Sequence, residues 1–285
     1  MKKILLPTDF SDNARNAIDY ALYLFEKEEC IFHVMNSYQA GPSGLSSTRS
    51  KAHGTRLYRA IKDEAERRVK NLLKDLRDKN QNSLHTFEGL SVSDSLLNAV
   101  GRITIDKDVD YIFMGTKGSS AIKEIFMGSN TVKVIQNIDF CPIIAVPGDY
   151  IFDLPDKIAF ATNFEHMYSK IELIPFIDLA KLWNSEITIV HVDMEEKGLT
   201  KQQKRSKNVL IDRLYGLSHS FEEIKGERKI SDAIKSYVSN EKEVGMVAMI
   251  GYWHSFFEKL TKENVIKRVA FNTEVPFMVF PLIDP

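Results

Sequence analysis

The 285 residues carry 38 basic and 39 acidic side chains and are 44% hydrophobic, the composition of a chain that buries globular cores rather than a disordered or fibrous one. The net charge of -1 excludes a general pull toward nucleic acid or anionic membrane, so neither is expected as a partner. Cys30 and Cys141 each lie inside an apolar run and read as buried thiols of a reducing compartment, not as a disulfide or metal pair.

The chain opens with MKKILLP, basic and then apolar. Asp9 and Asp12 follow at once with no small-residue cleavage site, so the stretch reads as a first strand and not as a signal peptide. No apolar run approaches the ~18 residues that span a bilayer, and a cytoplasmic protein is expected. Residues 11–27 place Ala14, Ile18, Ala21, Leu22 and Phe25 on one helical face, with Ser11 or Asp12 as N-cap. The run CIFHVMN at 30–36 reads as a second strand. Residues 39–56 are polar and glycine-containing, a surface connection or a lid. Helices are expected over 57–79 and 94–105, the latter opened by Ser93, Asp94 or Ser95, and VDYIFMG at 109–115 and PIIAVP at 142–147 read as strands. These strands are apolar at consecutive positions, as strands buried on both faces are.

The second part of the chain repeats the first in the same order. KILLPTDFS at 3–11 recurs as KIAFATNFE at 157–165, IFHVMN at 31–36 as IVHVDM at 189–194, VSDSLLNAV at 92–100 as ISDAIKSYV at 230–238, and CPIIAVP at 141–147 as VPFMVFP at 275–281. The join falls near GDYIFDLP at 148–155, which gives domains at 1–150 and 151–285. Alternating strands and helices imply right-handed crossovers, hence two tandem five-stranded, doubly wound α/β domains with parallel, Rossmann-like sheets. Ligands of such sheets bind at the carboxyl ends of strands where the winding reverses.

At that position in the first copy stands MGTKGSSAIKEIFMGSNTVKVI, residues 114–135. Gly115 and Gly118 follow a strand, and Gly128, Ser129, Asn130 and Thr131 open a helix. Glycines there allow backbone N–H groups to approach a ligand, and a helix N-terminus suits phosphate oxygens. Ser129, Asn130 and Thr131 add side-chain donors, and Lys117 and Lys123 add charge. Neither a Walker loop nor the dinucleotide fingerprint is present.

The spacing of Gly115, Gly118, Gly128 and Ser129 resembles the nucleotide-binding motif of the universal stress protein family in its ATP-binding branch, and PTDFS at 7–11, HVMN at 33–36 and CPIIAVP resemble its flanks. The resemblance covers the first copy and, more weakly, the second. It implies a stress-response protein of the UspA type in which Pro7, Thr8 and Asp9 line the adenosine end, Asp9 accepts a hydrogen bond from the base, and Val34 offers its backbone to adenine. Gly115, Gly118, Gly128, Ser129 and Asn130 would hold the triphosphate of ATP, with Mg²⁺ or Mn²⁺ bridging its oxygens, and Met114 and Lys117 would also belong to the nucleotide site. It also implies that the final strands pair across the copies, 142–147 with 276–281, giving an intramolecular pseudo-dimer able to dimerise further.

The second copy departs from the motif. Asn163 stands for Asp9 and Ala161 for Pro7, while Trp253 and His254 lie near the places of Lys117 and Gly118, and Lys262 and Glu263 replace Gly128 and Ser129. Nucleotide binding there is not expected. Trp253, His254, Phe256 and Phe257 form an aromatic group that fills the cleft, covers a neighbour or packs as core. His33 and His191 hold equivalent strand positions and read as core histidines. Three functions fit: a nucleotide-dependent regulatory module with an unknown protein partner, a slow ATPase or phosphotransferase, and an interaction scaffold whose nucleotide is incidental. No catalytic residue is marked, because the motif supplies cradle groups without an evident base.

Overall fold

The computed structural model describes residues 1–39, 56–116, 128–193, 198–225, 229–251 and 274–282. The first half runs β1 (Lys2–Pro7), α1 (Asp12–Leu24), β2 (Cys30–Tyr38), α2 (Arg56–Lys79), β3 (His85–Ser93), α3 (Leu96–Lys107), β4 (Tyr111–Gly115), α4 (Ser129–Asn137) and β5 (Ile143–Val146). After an irregular connection the second half runs β6 (Lys157–Ala161), α5 (Lys170–Trp183), β7 (Glu186–Asp193), α6 (Lys201–Arg213), β8 (His219–Lys225), α7 (Ile230–Asn240), β9 (Val244–Gly251) and β10 (Phe277–Pro281). The aromatic group around Trp253, and Lys262 and Glu263, lie outside the described residues.

Local chemistry sets the helix starts. The Ser11 hydroxyl accepts from the Ala14 N–H at 3.3 Å, and Ser95 accepts from Asn98 at the same distance, so these serines, and not Asp12, Ser93 or Asp94, are the N-caps. Reciprocal capping boxes, Ser169 with Glu172 and Thr200 with Gln203, open α5 and α6.

All ten strands join one sheet in the order β3-β2-β1-β4-β5-β10-β9-β6-β7-β8. Pairing is parallel within each half. At the centre β5 and β10 run antiparallel, Ala145 opposite Phe277, Ile144 opposite Met278 and Ile143 opposite Val279, the cross-copy pairing expected from the repeat. Because the halves meet head to tail, their carboxyl edges lie at opposite ends of the sheet. Consecutive apolar runs do not pick out β3 and β8. Both are outer strands with one strand neighbour each, and most of their residues are half-buried or exposed, with only Phe87 and Val92 of β3 fully buried.

Two cores result, one on each face, and both cross the join. On the face of α1 and α5, Ile4, Tyr20 and Phe113 share a cluster with Phe160, Phe176 and Phe280; on the other, Leu5, Ile112 and Val134 share one with Val247 and Phe277. Each such side chain contributes about 1.5–3 kcal/mol on burial. Polar contacts cross the join as well: the Tyr111 hydroxyl donates to the Pro175 carbonyl at 2.8 Å, Trp183 Nε1 to the Leu24 carbonyl at 2.9 Å, and Lys2 pairs with Asp178 at 3.1 Å.

Candidate functional site

In the first half the winding reverses between β1 and β4, where Leu5 pairs with Ile112, so a crevice lies at the carboxyl ends of these strands. One wall is the turn from β1 to α1. The Thr8 N–H donates to the Met35 carbonyl at 2.8 Å, Thr8 Oγ1 accepts from the Phe10 N–H at 2.9 Å, and Asp9 Oδ1 accepts from the Ser11 N–H at 3.0 Å. Phe10 takes a left-handed conformation, φ 64°, which turns the chain sharply into α1. Pro7 and Thr8 are buried while Asp9 is exposed. Asn36, not singled out by sequence, holds the turn from β2 by donating to the Thr8 carbonyl at 2.7 Å. Val34 sits between Leu6 and Gly89 in the ladder and is fully buried.

The opposite wall is the end of β4. Met114 is buried in the core between the sheet and α3 and α4. Gly115 is needed for packing: a Cβ there would come within 2.6 Å of the Asn13 carbonyl oxygen, so the first turn of α1 seats directly on the strand. Asn16 completes the seat by donating to the Pro147 carbonyl at 2.9 Å. This reason for Gly115 differs from the ligand approach expected of it.

Beyond Gly115 the chain enters the loop 117–127, which holds Lys117, Gly118 and Lys123 and lies outside the described residues. Its base is pinned three ways. Thr116 continues the ladder by donating to the Val146 carbonyl at 2.9 Å, the Gly128 N–H donates to the Thr116 carbonyl at 2.5 Å, and the Thr131 hydroxyl donates to the Gly115 carbonyl at 2.8 Å. The donor count expected at this helix start is thereby corrected: the Thr131 hydroxyl and the Gly128 N–H are committed within the protein. What remains is the start of α4 itself. Gly128 is an N-cap without a side-chain bond, the first closed helical bond runs from Val132 to Gly128 at 3.2 Å, and Ser129 and Asn130 are exposed. The N–H groups of the first turn have no intrahelical acceptor and carry the positive end of the helix dipole. Helix starts of this kind suit anions in general.

The histidines stand apart from the crevice. His33 is 2% exposed, its Nδ1 3.2 Å from Glu88 Oε2 but off the line of a hydrogen bond. Burial lowers its pKa, opposed by Glu88. His191 Nδ1 meets the Thr162 carbonyl at 3.0 Å. Both are core positions. Cys30 and Cys141 are buried and free, with burial pushing the Cys30 thiol up to about 12. Among the described residues no group of three His, Cys, Asp or Glu side chains could hold a metal ion.

The second half repeats the turn and then closes it. Thr162 donates to the Val190 carbonyl at 2.9 Å, Asn163 Oδ1 accepts from the Glu165 N–H at 3.1 Å, and Phe164 has φ 57°. Eight residues separate β6 from α5, which starts at Lys170, whereas four separate β1 from α1. The extra length folds inward. Tyr168 is buried with its hydroxyl on Thr162 Oγ1, and α6 clasps the segment through Gln203 to the Asn163 carbonyl at 2.9 Å and Arg213 to the Tyr168 carbonyl at 3.2 Å.

The comparisons with known proteins fit these features. Residues 1–147 match the universal stress protein family. Universal stress protein MJ0577 of Methanocaldococcus jannaschii is 31% identical over 153 residues, covering 47% of this chain and 88% of that protein. A universal stress protein structure from Archaeoglobus fulgidus covers 98% of this chain and 96% of its own at 19% identity, TM-score 0.66, a likeness of fold across both halves. The cytoplasmic domain of a prokaryotic cation chloride cotransporter, 8% identical, also follows 98% of this chain and 95% of its own at TM-score 0.52, so the tandem fold alone does not set a function. With the motif spacing, the crevice and the matched first half all agreeing, the chain belongs to the universal stress protein family.

Proposed function

We propose that the first half binds ATP at the carboxyl ends of β1 and β4, and that occupancy of this site switches how the protein meets a protein partner in a stress response. The observation that carries this reading is the first turn of α4, uncapped by any side chain among the described residues and placed at the switch point of the sheet. The N–H groups and side chains of Ser129 and Asn130 face the phosphates in this reading, with Lys117 and Gly118 on the adjoining loop, and Asp9 with Pro7 and Thr8 takes the adenosine end. Mg²⁺ or Mn²⁺ would be held by phosphate oxygens and would offset their charge. In this reading the crevice binds the nucleotide, and a slow ATPase is the alternative that turnover measured against Gly128→Glu would reveal.

The division at 150 and 151 then separates a nucleotide domain from one that keeps the fold and has filled its own crevice with residues 163–168. One nucleotide per chain is expected. Titration calorimetry of nucleotide-free protein with Mg-ATP, beside Gly128→Glu, tests this together with chromatography of the denatured wild type for carried-over nucleotide. One ATP bound per chain and lost in the variant supports the site. No binding and no carried-over nucleotide would leave a scaffold that acts without a ligand.

A further inference from the structure

The crevice has a third wall that nothing in the glycine motif marks. Helix α2 spans 24 residues, roughly 36 Å at ~1.5 Å per residue, and packs beside β2 and β3. Near its start Tyr58 meets Tyr38, the last residue of β2, with ring centroids 6.2 Å apart, and near its end Asp75 pairs with Arg15 of α1. Ala65, Val69 and Leu76 are its buried residues, and Gly89 leaves room for Val69 and Leu73, whose side chains a Cβ would approach to 2.7 and 2.6 Å. The rotation of α2 about its axis is therefore set by packing. That rotation carries Arg68 to the crevice, with its guanidinium carbon 4.1 Å from the centroid of Phe10, the residue after Asp9.

The arginine has no other engagement among the described residues. Nearby arginines are engaged elsewhere: Arg67 with Glu64, Arg15 with Asp19 and Asp75, and Arg77 with the Phe87 carbonyl. The five N–H donors of Arg68 form no hydrogen bond or ion pair there and rest on a ring. A ring contact of this kind is weak at an exposed site and is readily exchanged for charge-assisted bonds to oxygen. In the second half the pattern differs. Lys207 of α6 lies 4.0 Å from Phe221 and 5.8 Å from Phe164, and Phe164 is buried, so the cation there covers a closed turn.

Resting on the nucleotide reading above, we propose that Arg68 is a ligand-binding residue of the first half: parked on Phe10 when the crevice is empty, it swings to donate to oxygens of the bound nucleotide. It supplies from the adenosine side a positive charge opposite the start of α4.

The test is titration of the full chain with Mg-ATP for wild type, Arg68→Ala, Arg68→Lys and the neighbouring Arg67→Ala, with thermal melts of each unliganded protein. Arg68→Ala is expected to weaken binding about tenfold with an unchanged melt, because one charge-assisted contact is lost. Arg68→Lys keeps the charge without the fork and should fall between Arg68→Ala and wild type, and Arg67→Ala should match wild type. A wild type that binds ATP together with an Arg68→Ala variant within twofold of it overturns the role of the arginine alone. A wild type that does not bind ATP overturns the nucleotide reading and this inference with it.

Discussion

The carbonyl oxygen of Asn13 stands 2.6 Å, and its carbonyl carbon 2.9 Å, from where a Cβ on Gly115 would be placed. The contact is between backbones, so neither side yields by rotating a side chain. Gly115→Ala is expected to cost about 1–3 kcal/mol through forced displacement and, by moving the start of α1, to weaken ATP binding. Gly101→Ala is the counterpart. It lies inside α3, and its Cβ would meet only Ile138 Cδ1 at 3.4 Å, so the change should stabilise by about 0.5–1 kcal/mol. Urea denaturation of both variants separates the two glycines by the sign of the change.

Thr131→Val keeps the shape and removes the hydroxyl that donates to the Gly115 carbonyl. The cost expected is about 1–3 kcal/mol for a buried acceptor left unpaired. Thr131→Ser should recover much of it. Thermal melts measure the stability. Calorimetry with Mg-ATP should show a parallel loss of affinity, because the same bond fixes α4 against the end of β4.

His33 gives the stability a pH slope. Its folded pKa lies below the ordinary 6.5, first through burial, with Lys107 and Lys3 acting in the same sense and Glu88 against it. Below about 6.5 the unfolded chain takes up a proton that the folded chain resists, so this contribution is present above 6.5 and is lost as pH falls from there. His85, also lowered by burial, adds a slope of the same sign. His33→Gln should flatten the decline in unfolding free energy between pH 6.5 and 5 without abolishing it. An unchanged slope would exclude His33 as its source.

The antiparallel meeting of Ile144 and Met278 makes each half a cover for the other's edge. Residues 1–150 expressed alone expose the β5 edge, all four of whose residues are buried in the full chain, and such edges recruit partners. Light scattering after size exclusion should find the isolated half as a concentration-dependent dimer or larger species. A stable monomer would show that the edge needs no partner.

Asn163→Asp restores to the second half the carboxylate of Asp9, yet Tyr168 and the α6 clasp still fill the space above Thr162. Calorimetric stoichiometry should remain one ATP per chain. A second binding event would mean that charge, and not the folded-in segment, keeps the nucleotide out.

Much of this architecture was legible before any coordinates. Consecutive apolar runs mark strands covered on both faces, their recurrence in order marks the tandem copies, and two apolar terminal strands demand each other as partners. Strands β3 and β8 escape that criterion for a physical reason: with one neighbour each they are only partly covered, and their polar and charged residues read as loop in a single sequence. The N-caps were narrowed to two or three adjacent residues and not resolved, because serine and aspartate cap alike and only the path of the chain selects one.

In the candidate site the split is similar. Sequence by itself determined which residues stand at the carboxyl ends of β1 and β4, since Asp9, Gly115, Ser129 and Asn130 follow strands or open helices at readable positions. Tertiary structure alone decided what they do there. It brought Asn13 against Gly115, committed the Thr131 hydroxyl to a carbonyl, carried Arg68 to Phe10 and folded Tyr168 onto Thr162. Each of these contacts depends on how elements pack and where the backbone turns, and the periodicity of a sequence records which face of an element is apolar but not which residue of another element it will meet.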